Sequence, residues 1–281
     1  MRREELSLPT FSGITKESIR NSLLGYQASN EAEVKLQRFL FEGLPRVIKR
    51  ALGDKIGKAE WASHGKRCVQ FMEARAALDF FLRSNSIPQA YQALILAGPD
   101  PELACIPWAL SGLPTKFLIC DKDKDLISQA KKNIKSIDKL ISKNINYLWW
   151  DRGENPVHSV TIVNEDCFNI RPPEDGYIVL DLDFCNNMIR TSGGIRKISS
   201  FVSDAGATKG PFIFRTTLHV GRIGNSWSDV LDNIEEMDNE IRKRGFRVRE
   251  KIESKYTSTL PMVSIMWILE RNPRSKSIVV L

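Results

Sequence analysis

From residue 91 onward the chain alternates short apolar runs with stretches of helical character. The runs are YQALILA (91–97), TKFLICD (115–121), SVTIVNE (159–165), GYIVLDL (176–182) and GPFIFRTTL (210–218). The helical stretches lie near 101–111, 124–143, 191–205 and 226–244, the last with Ser226 or Ser228 as its cap. Each run has strand length and is nearly continuous in apolar residues, as in a strand covered on both faces. Strands that alternate with helices are joined by right-handed crossovers, which build a parallel sheet with helices on both sides. The rhythm breaks at the end. FRVREKIESKY (246–256) and PMVSIMWILE (261–270) are separated by a short turn with no helix, which predicts an antiparallel pair at the sheet edge. The expected class is therefore α/β, a seven-stranded, mostly parallel, doubly wound sheet ending in an antiparallel hairpin.

The first 88 residues read differently. Asn30 is placed to cap EAEVKLQRFLFEGLPRVIKRAL, with a break at Gly43 and Pro45. RCVQFMEARAALDFFLRSN has the apolar density of a well-buried helix, ended by Asn85 and Pro88. The expected division is a helical N-terminal extension over 1–88 and an α/β domain over 89–281. The extension is read either as a basic substrate-recognition element or as a simple cover for the sheet.

Net charge is +7, which favours polyanionic partners such as DNA or RNA. The cations concentrate in segments such as 46–58 and 122–143, and the second of these also reads as the solvated face of an amphipathic helix. No apolar run approaches the ~20 residues needed to cross a bilayer, and the start of the chain lacks the apolar segment of a secretory signal. Five cysteines without a CxxC pair suggest reduced thiols in the cytoplasm, and three histidines without ligand spacing predict no metal site. Oligomeric state is not legible.

In an open parallel sheet, ligands bind beyond the carboxyl ends of the strands, near the switch in strand order. The residues after each run therefore carry the functional signal. After the first come Ala97, Gly98, Pro99, Asp100, Pro101 and Glu102, where the glycine permits a tight turn and close backbone approach. Flanking acids there disfavour a pyrophosphate. After the second come Asp121 and Lys122, an acid where nucleoside-binding folds hold ribose hydroxyls. After the third come Asp166, Cys167 and Phe168, and after the fourth Asp181, Leu182, Asp183, Phe184 and Cys185. The fifth ends in Thr216, Thr217, His219 and Arg222. His219 is a candidate general base and Arg222 a candidate phosphate contact, both on the substrate side.

Over roughly 89–270 these four strand ends, with the closing hairpin, resemble the class I S-adenosylmethionine-dependent methyltransferases, of which the chain would be a divergent member. The resemblance implies S-adenosyl-L-methionine as cofactor. It implies that Ala97, Gly98 and Pro99 form the glycine turn beside the amino acid moiety, although the motif keeps one glycine where several are usual. It implies that Asp121 holds the ribose hydroxyls with Lys122 nearby, and that Asp166 accepts from the adenine amine with Cys167 packing on the base. It implies that Asp181, Asp183 and Phe184 meet the acceptor.

Three readings of Asp-Leu-Asp-Phe-Cys stay open. It is similar in outline to the acid-Pro-Pro-aromatic motif of amino-group methyltransferases, without the prolines, which would make Asp181, Asp183 and Phe184 catalytic and the substrate a flipped nucleic acid base. Cys185 could be the nucleophile of a cytosine-C5 enzyme. The acids could instead orient cofactor or cap the next helix, with Cys185 a small buried residue. The expected function is S-adenosylmethionine-dependent methylation of a nucleic acid base. The alternatives are a small-molecule or protein acceptor, and a catalytically inactive methyltransferase-like binding protein.

Overall fold

A computed structural model describes residues 10–11, 64–84, 90, 92–96, 104–105, 107–108, 116–133, 159–184, 193–220, 226–257 and 261–272. The strands are β1 (Thr10–Phe11), β2 (Gln92–Leu96), β3 (Lys116–Asp121), β4 (Ser159–Asn164), β5 (Val179–Asp181), β6 (Phe212–His219), β7 (Phe246–Thr257) and β8 (Pro261–Arg271). The helices are α1 (His64–Arg83), α2 (Lys124–Asn133), α3 (Gly194–Ala205) and α4 (Trp227–Lys243). Residues 104, 105, 107 and 108 are also helical.

All strands join one sheet in the order β1-β7-β8-β6-β5-β2-β3-β4. The pairs β2–β3, β2–β5, β3–β4 and β5–β6 are parallel, whereas β8 runs antiparallel to both β6 and β7. The expected α/β fold is present, with its mostly parallel sheet and closing hairpin. β8 slots inside, against β6, and β7 lies outside it. One difference is Thr10–Phe11, which pairs parallel to Lys255–Tyr256 and lengthens the expected seven-stranded sheet by a short eighth strand. It falls in a region expected to be wholly helical. The expected cap at Asn30 lies outside the described residues.

Continuous apolar runs form the central strands because helices cover both faces. Residues 212–219 of β6 are all buried, as are residues 262–269 of β8. On one face, α4 presents Val230, Ile234, Met237 and Ile241 at helical spacing, and α3 presents Ile195, Ile198, Val202 and Ala205. Ser226 starts α4 with a capping box: its hydroxyl accepts from the Asp229 amide at 3.2 Å, and its own amide donates to Asp229 Oδ2 at 2.8 Å. Asp238 then ties α4 to the hairpin, accepting from Trp267 Nε1 and from Lys251 Nζ.

α1 packs against β7 and β8. Its buried positions are Lys66, Val69, Gln70, Glu73, Ala74, Ala77, Phe80 and Phe81. They recur every three or four residues and form one stripe. Two of them, one at each end of a seven-residue interval, are charged. Under β5, the chain turns through Gly176 at φ 74°, where Tyr177 bridges to Gly206. Gly176 and Gly206 pack so closely that a Cβ on Gly176 would lie 2.4 Å from the Gly206 carbonyl oxygen.

Candidate functional site

Strand order reverses between β2 and β5: β3 and β4 extend the sheet on one side of β2, and β5 returns on the other. The carboxyl ends of β2, β3, β4 and β5 therefore flank the switch point, the place where such sheets bind ligands. Residues 97–100, with Ala97, Gly98 and Pro99, lie outside the described residues, as do Cys185 and Arg222.

Two strand ends meet at Asp121, where Asn164 Nδ2 donates to its carbonyl oxygen at 3.0 Å. Asp121 Oδ1 accepts from the Asp123 amide at 2.9 Å, and Asp123 Oδ1 accepts from the Asp125 amide at 2.8 Å to start α2. Burial pushes the Asp121 carboxyl above its ordinary value, against the pull of the Asp123 amide. Lys122 beside it is exposed. Beyond β4, Asp166 Oδ1 caps a single helical turn, Cys167–Asn169, by accepting from the Phe168 amide at 3.1 Å. Cys167 is buried, and that burial together with Asp166 pushes its thiol up to about 12. Cys120 is held higher by burial, by Cys167 and by the acids of Asp121, Asp166 and Glu165. Phe168 stacks on Phe184 at 5.6 Å with ring planes 3° apart, meets Phe201 edge-on, and carries Lys197 Nζ 4.2 Å above its centre. The ends of β4 and β5 thus share one aromatic wall.

The two acids after β5 have different surroundings, and the parallel register explains why. Asp181 is opposite Arg215. Moving two residues along each strand keeps the same face, so Asp183 comes opposite Thr217. Asp181 is fully buried. Its Oδ1 accepts from Arg215 Nη1 at 2.7 Å and its Oδ2 from Trp108 Nε1 at 2.8 Å. Arg215, also buried, donates through Nε to Glu73 Oε2 at 2.6 Å, and Ser264 Oγ donates to the same oxygen at 3.0 Å. Burial raises the Glu73 carboxyl above its ordinary value despite Arg215. Asp183 lies two residues past Asp181, just beyond the end of β5, with a side chain that is 10% exposed. It accepts from Lys66 Nζ and from Thr217 Oγ1. Burial opposes its charge, but Lys66 and Arg215 outweigh burial and hold the carboxyl well below its usual range. Thr216 Oγ1 donates to the Leu182 carbonyl at 2.7 Å and fixes the backbone between the two acids.

His219 is the last residue of β6, buried and in register with Met262, rather than in a solvated loop. Sequence reasoning missed Lys66, Glu73, Trp108 and Arg215. The signal for Arg215 was a cation inside the apolar run FIFRTTL, and for Glu73 an acid on a helical stripe that is mostly apolar. A charge at such a position requires a partner. Among the described residues, no cluster of His, Cys, Asp and Glu is suited to a metal ion, and no helix is long and apolar enough to cross a membrane.

No protein-family model matches the chain, and no curated protein matches it. Solved structures do. One is TYW2 of M. jannaschii in complex with AdoMet, at 14% identity and TM-score 0.42 over 72% of this chain and 76% of that one. Another is an S-adenosylmethionine-dependent methyltransferase of Leishmania major, at 13% identity and TM-score 0.45 over 90% and 91%. A third is the N-methyltransferase NodS of Bradyrhizobium japonicum, at 9% identity and TM-score 0.42 over 72% and 98%.

Proposed function

We propose that the chain is an S-adenosylmethionine-dependent methyltransferase whose acceptor is an amino nitrogen of a nucleic acid base. The observation that carries this reading is Asp183: an anionic carboxylate at the carboxyl edge of β5, next to the switch point, with Phe184 beside it and two donors fixing its direction. An acid held so far down works as a hydrogen-bond acceptor for an N–H and not as a base. The acceptor proton then leaves to water after transfer. Asp181, buried deeper than Asp183 and paired with Arg215, serves in this reading to hold Arg215 and the strand end rather than to touch substrate.

The strand ends suit the cofactor. Asp121 Oδ1 accepts from the Asp123 amide, and its carboxylate at the end of β3 is proposed to hold the ribose hydroxyls, with Lys122 nearby. Asp166 and Cys167 line the place expected for adenine, and Ala97, Gly98 and Pro99 are proposed for the amino acid moiety. When bound, the cofactor supplies an electrophilic methyl group on a sulfonium. The chain's own task is to position the acceptor in line with it. A nucleic acid substrate is supported by the charge of +7 and by Arg196 and Lys197, exposed on the first turn of α3, with Lys197 above the Phe168 ring. The described cysteines are free thiols, in keeping with a cytoplasmic setting. The test is calorimetry with S-adenosylhomocysteine on wild type and Asp121→Asn, followed by methyl transfer to RNA and DNA. Binding that is weakened at least tenfold by Asp121→Asn is expected. Absence of heat and of any thermal shift in wild type sinks the proposal.

A further inference from the structure

Helix α1 sends two of its buried stripe residues into the charged groups at the ends of β5 and β6. Lys66 Nζ reaches Asp183, and Glu73 reaches Arg215, which in turn holds Asp181. A helix that only covers a sheet fills its inward stripe with apolar residues, because a buried charge costs several kcal/mol unless it is paired. α1 instead spends two inward positions on charges, and both are directed to the same strand end. We propose that α1 is part of the methyl-transfer site, with Lys66 the positioning residue that sets the direction and charge of Asp183 and Glu73 the anchor of Arg215 behind it.

Among the described residues, five charged groups make up this cluster: three acids, Glu73, Asp181 and Asp183, against two cations, Lys66 and Arg215. Tyr256 of β7 and His219 of β6 are the other titratable groups nearby, Tyr256 through its influence on Arg215 and His219 two residues beyond Thr217. Lys66 does two things that Thr217 alone cannot. It favours the ionised form of Asp183, and it offsets that charge. A cationic methyl donor next to Asp183 then meets a carboxylate that is oriented but not strongly attractive. Binding energy is thereby withheld from the charged ground state, which is the condition for using it in the transition state.

This inference rests on the methyltransferase reading for its ligand arm only, and its carboxyl arm needs no ligand. In the carboxyl arm, the Asp183 side-chain carbon is followed by NMR in the full chain, assigned with Asp183→Asn. Lys66→Met brings its titration up into an observable range, and Lys66→Arg keeps it low. In the ligand arm, affinities for cationic S-adenosylmethionine and neutral S-adenosylhomocysteine are measured from pH 5 to 8. Wild type shows a ratio independent of pH. Lys66→Met raises the preference for the cation roughly tenfold at pH 8, the effect of removing one paired cation at close range, and loses it toward pH 5 as Asp183 protonates. A merely structural lysine weakens both ligands equally, so an unchanged ratio overturns the proposal. So does an Asp183 titration unmoved by Lys66→Met. If wild type binds neither ligand but Asp183 shifts in Lys66→Met, the cofactor reading fails and the pairing role of Lys66 stands. Should Lys66→Met not fold, Lys66→Met with Asp183→Asn restores a neutral pair, and that variant must show a cation preference independent of pH.

Discussion

Replacing Arg215 with methionine should cost about 3 kcal/mol of stability at neutral pH. Arg215 is fully buried between two buried acids, 2.6 Å from Glu73 and 2.7 Å from Asp181. Removing one partner of a buried pair typically costs about 3–5 kcal/mol, because the other charge stays behind unpaired. Two local features hold the value to the lower end. The Glu73 carboxyl already lies above its ordinary 4.5 through burial, so it takes up a proton when the cation goes. Asp181 keeps the Trp108 indole as a donor. The sign with pH follows from linkage. An acid whose folded pKa is raised contributes stability that is fully present below its unfolded value and is lost as pH rises toward the folded value. Arg215→Met removes the cation that opposes burial at Glu73 and so raises its folded value further, and the deficit grows as pH climbs from about 4.5. Urea unfolding at pH 5 and pH 8 measures this as a shift in midpoint at constant slope. The triple variant Arg215→Met, Glu73→Gln, Asp181→Asn removes all three charges and recovers most of the loss, since neutral replacements of buried ion networks are well tolerated. A single variant within about 1 kcal/mol of wild type, or a triple no better than the single, refutes the view that these three charges are mutually dependent.

Gly176→Ala should destabilise by at least about 2 kcal/mol in the same urea assay, because φ 74° is strained for alanine and its Cβ meets the Gly206 carbonyl at 2.4 Å; a loss under half that value would mean that the turn relaxes freely. Gly206→Ala should also be destabilising, since its Cβ would lie 2.3 Å from the Phe212 ring, and here the ring must move. A thiol reagent at pH 8 should leave Cys105, Cys120 and Cys167 untouched in the native protein. All three are buried, and with its pKa near 12 Cys167 is thiolate in only about one molecule in ten thousand. Rapid modification of Cys167 in folded protein would show that the end of β4 opens.

The sheet was legible because apolar period and length survive in the sequence. Every run from 91 to 270 became the expected strand, with ends shifted by no more than three residues, and the Ser226 cap is a purely local interaction. β5 was the weakest of them. GYIVLDL reads as seven residues but yields three in the ladder, because Tyr177 leaves it to bridge Gly206. What could not be read was which distant charges meet. Glu73 and Arg215 are 142 positions apart, and Lys66 and Asp183 are 117 apart. No local pattern encodes such pairings; only the docking of α1 across the hairpin creates them.

The alternation of β5 decides what its two acids can do. Asp181 and Asp183 lie on one face, and register alone assigns the inner to Arg215 and the outer to Thr217. A strand one residue out of register would turn both acids to the face of α3 and α4, where Ile198, Val202 and Val230 are packed. The buried Arg215 opposes that slip, since its Nη1 meets a carboxylate only when Asp181 is opposite it. Structural and functional roles are thus divided along a single strand: the deeper acid fixes the register, and the register delivers the outer acid, already oriented, to the sheet edge. Asp183→Asn should therefore abolish its use as an anionic acceptor at the cost of the Lys66 pair alone, whereas Asp181→Asn should weaken the fold more.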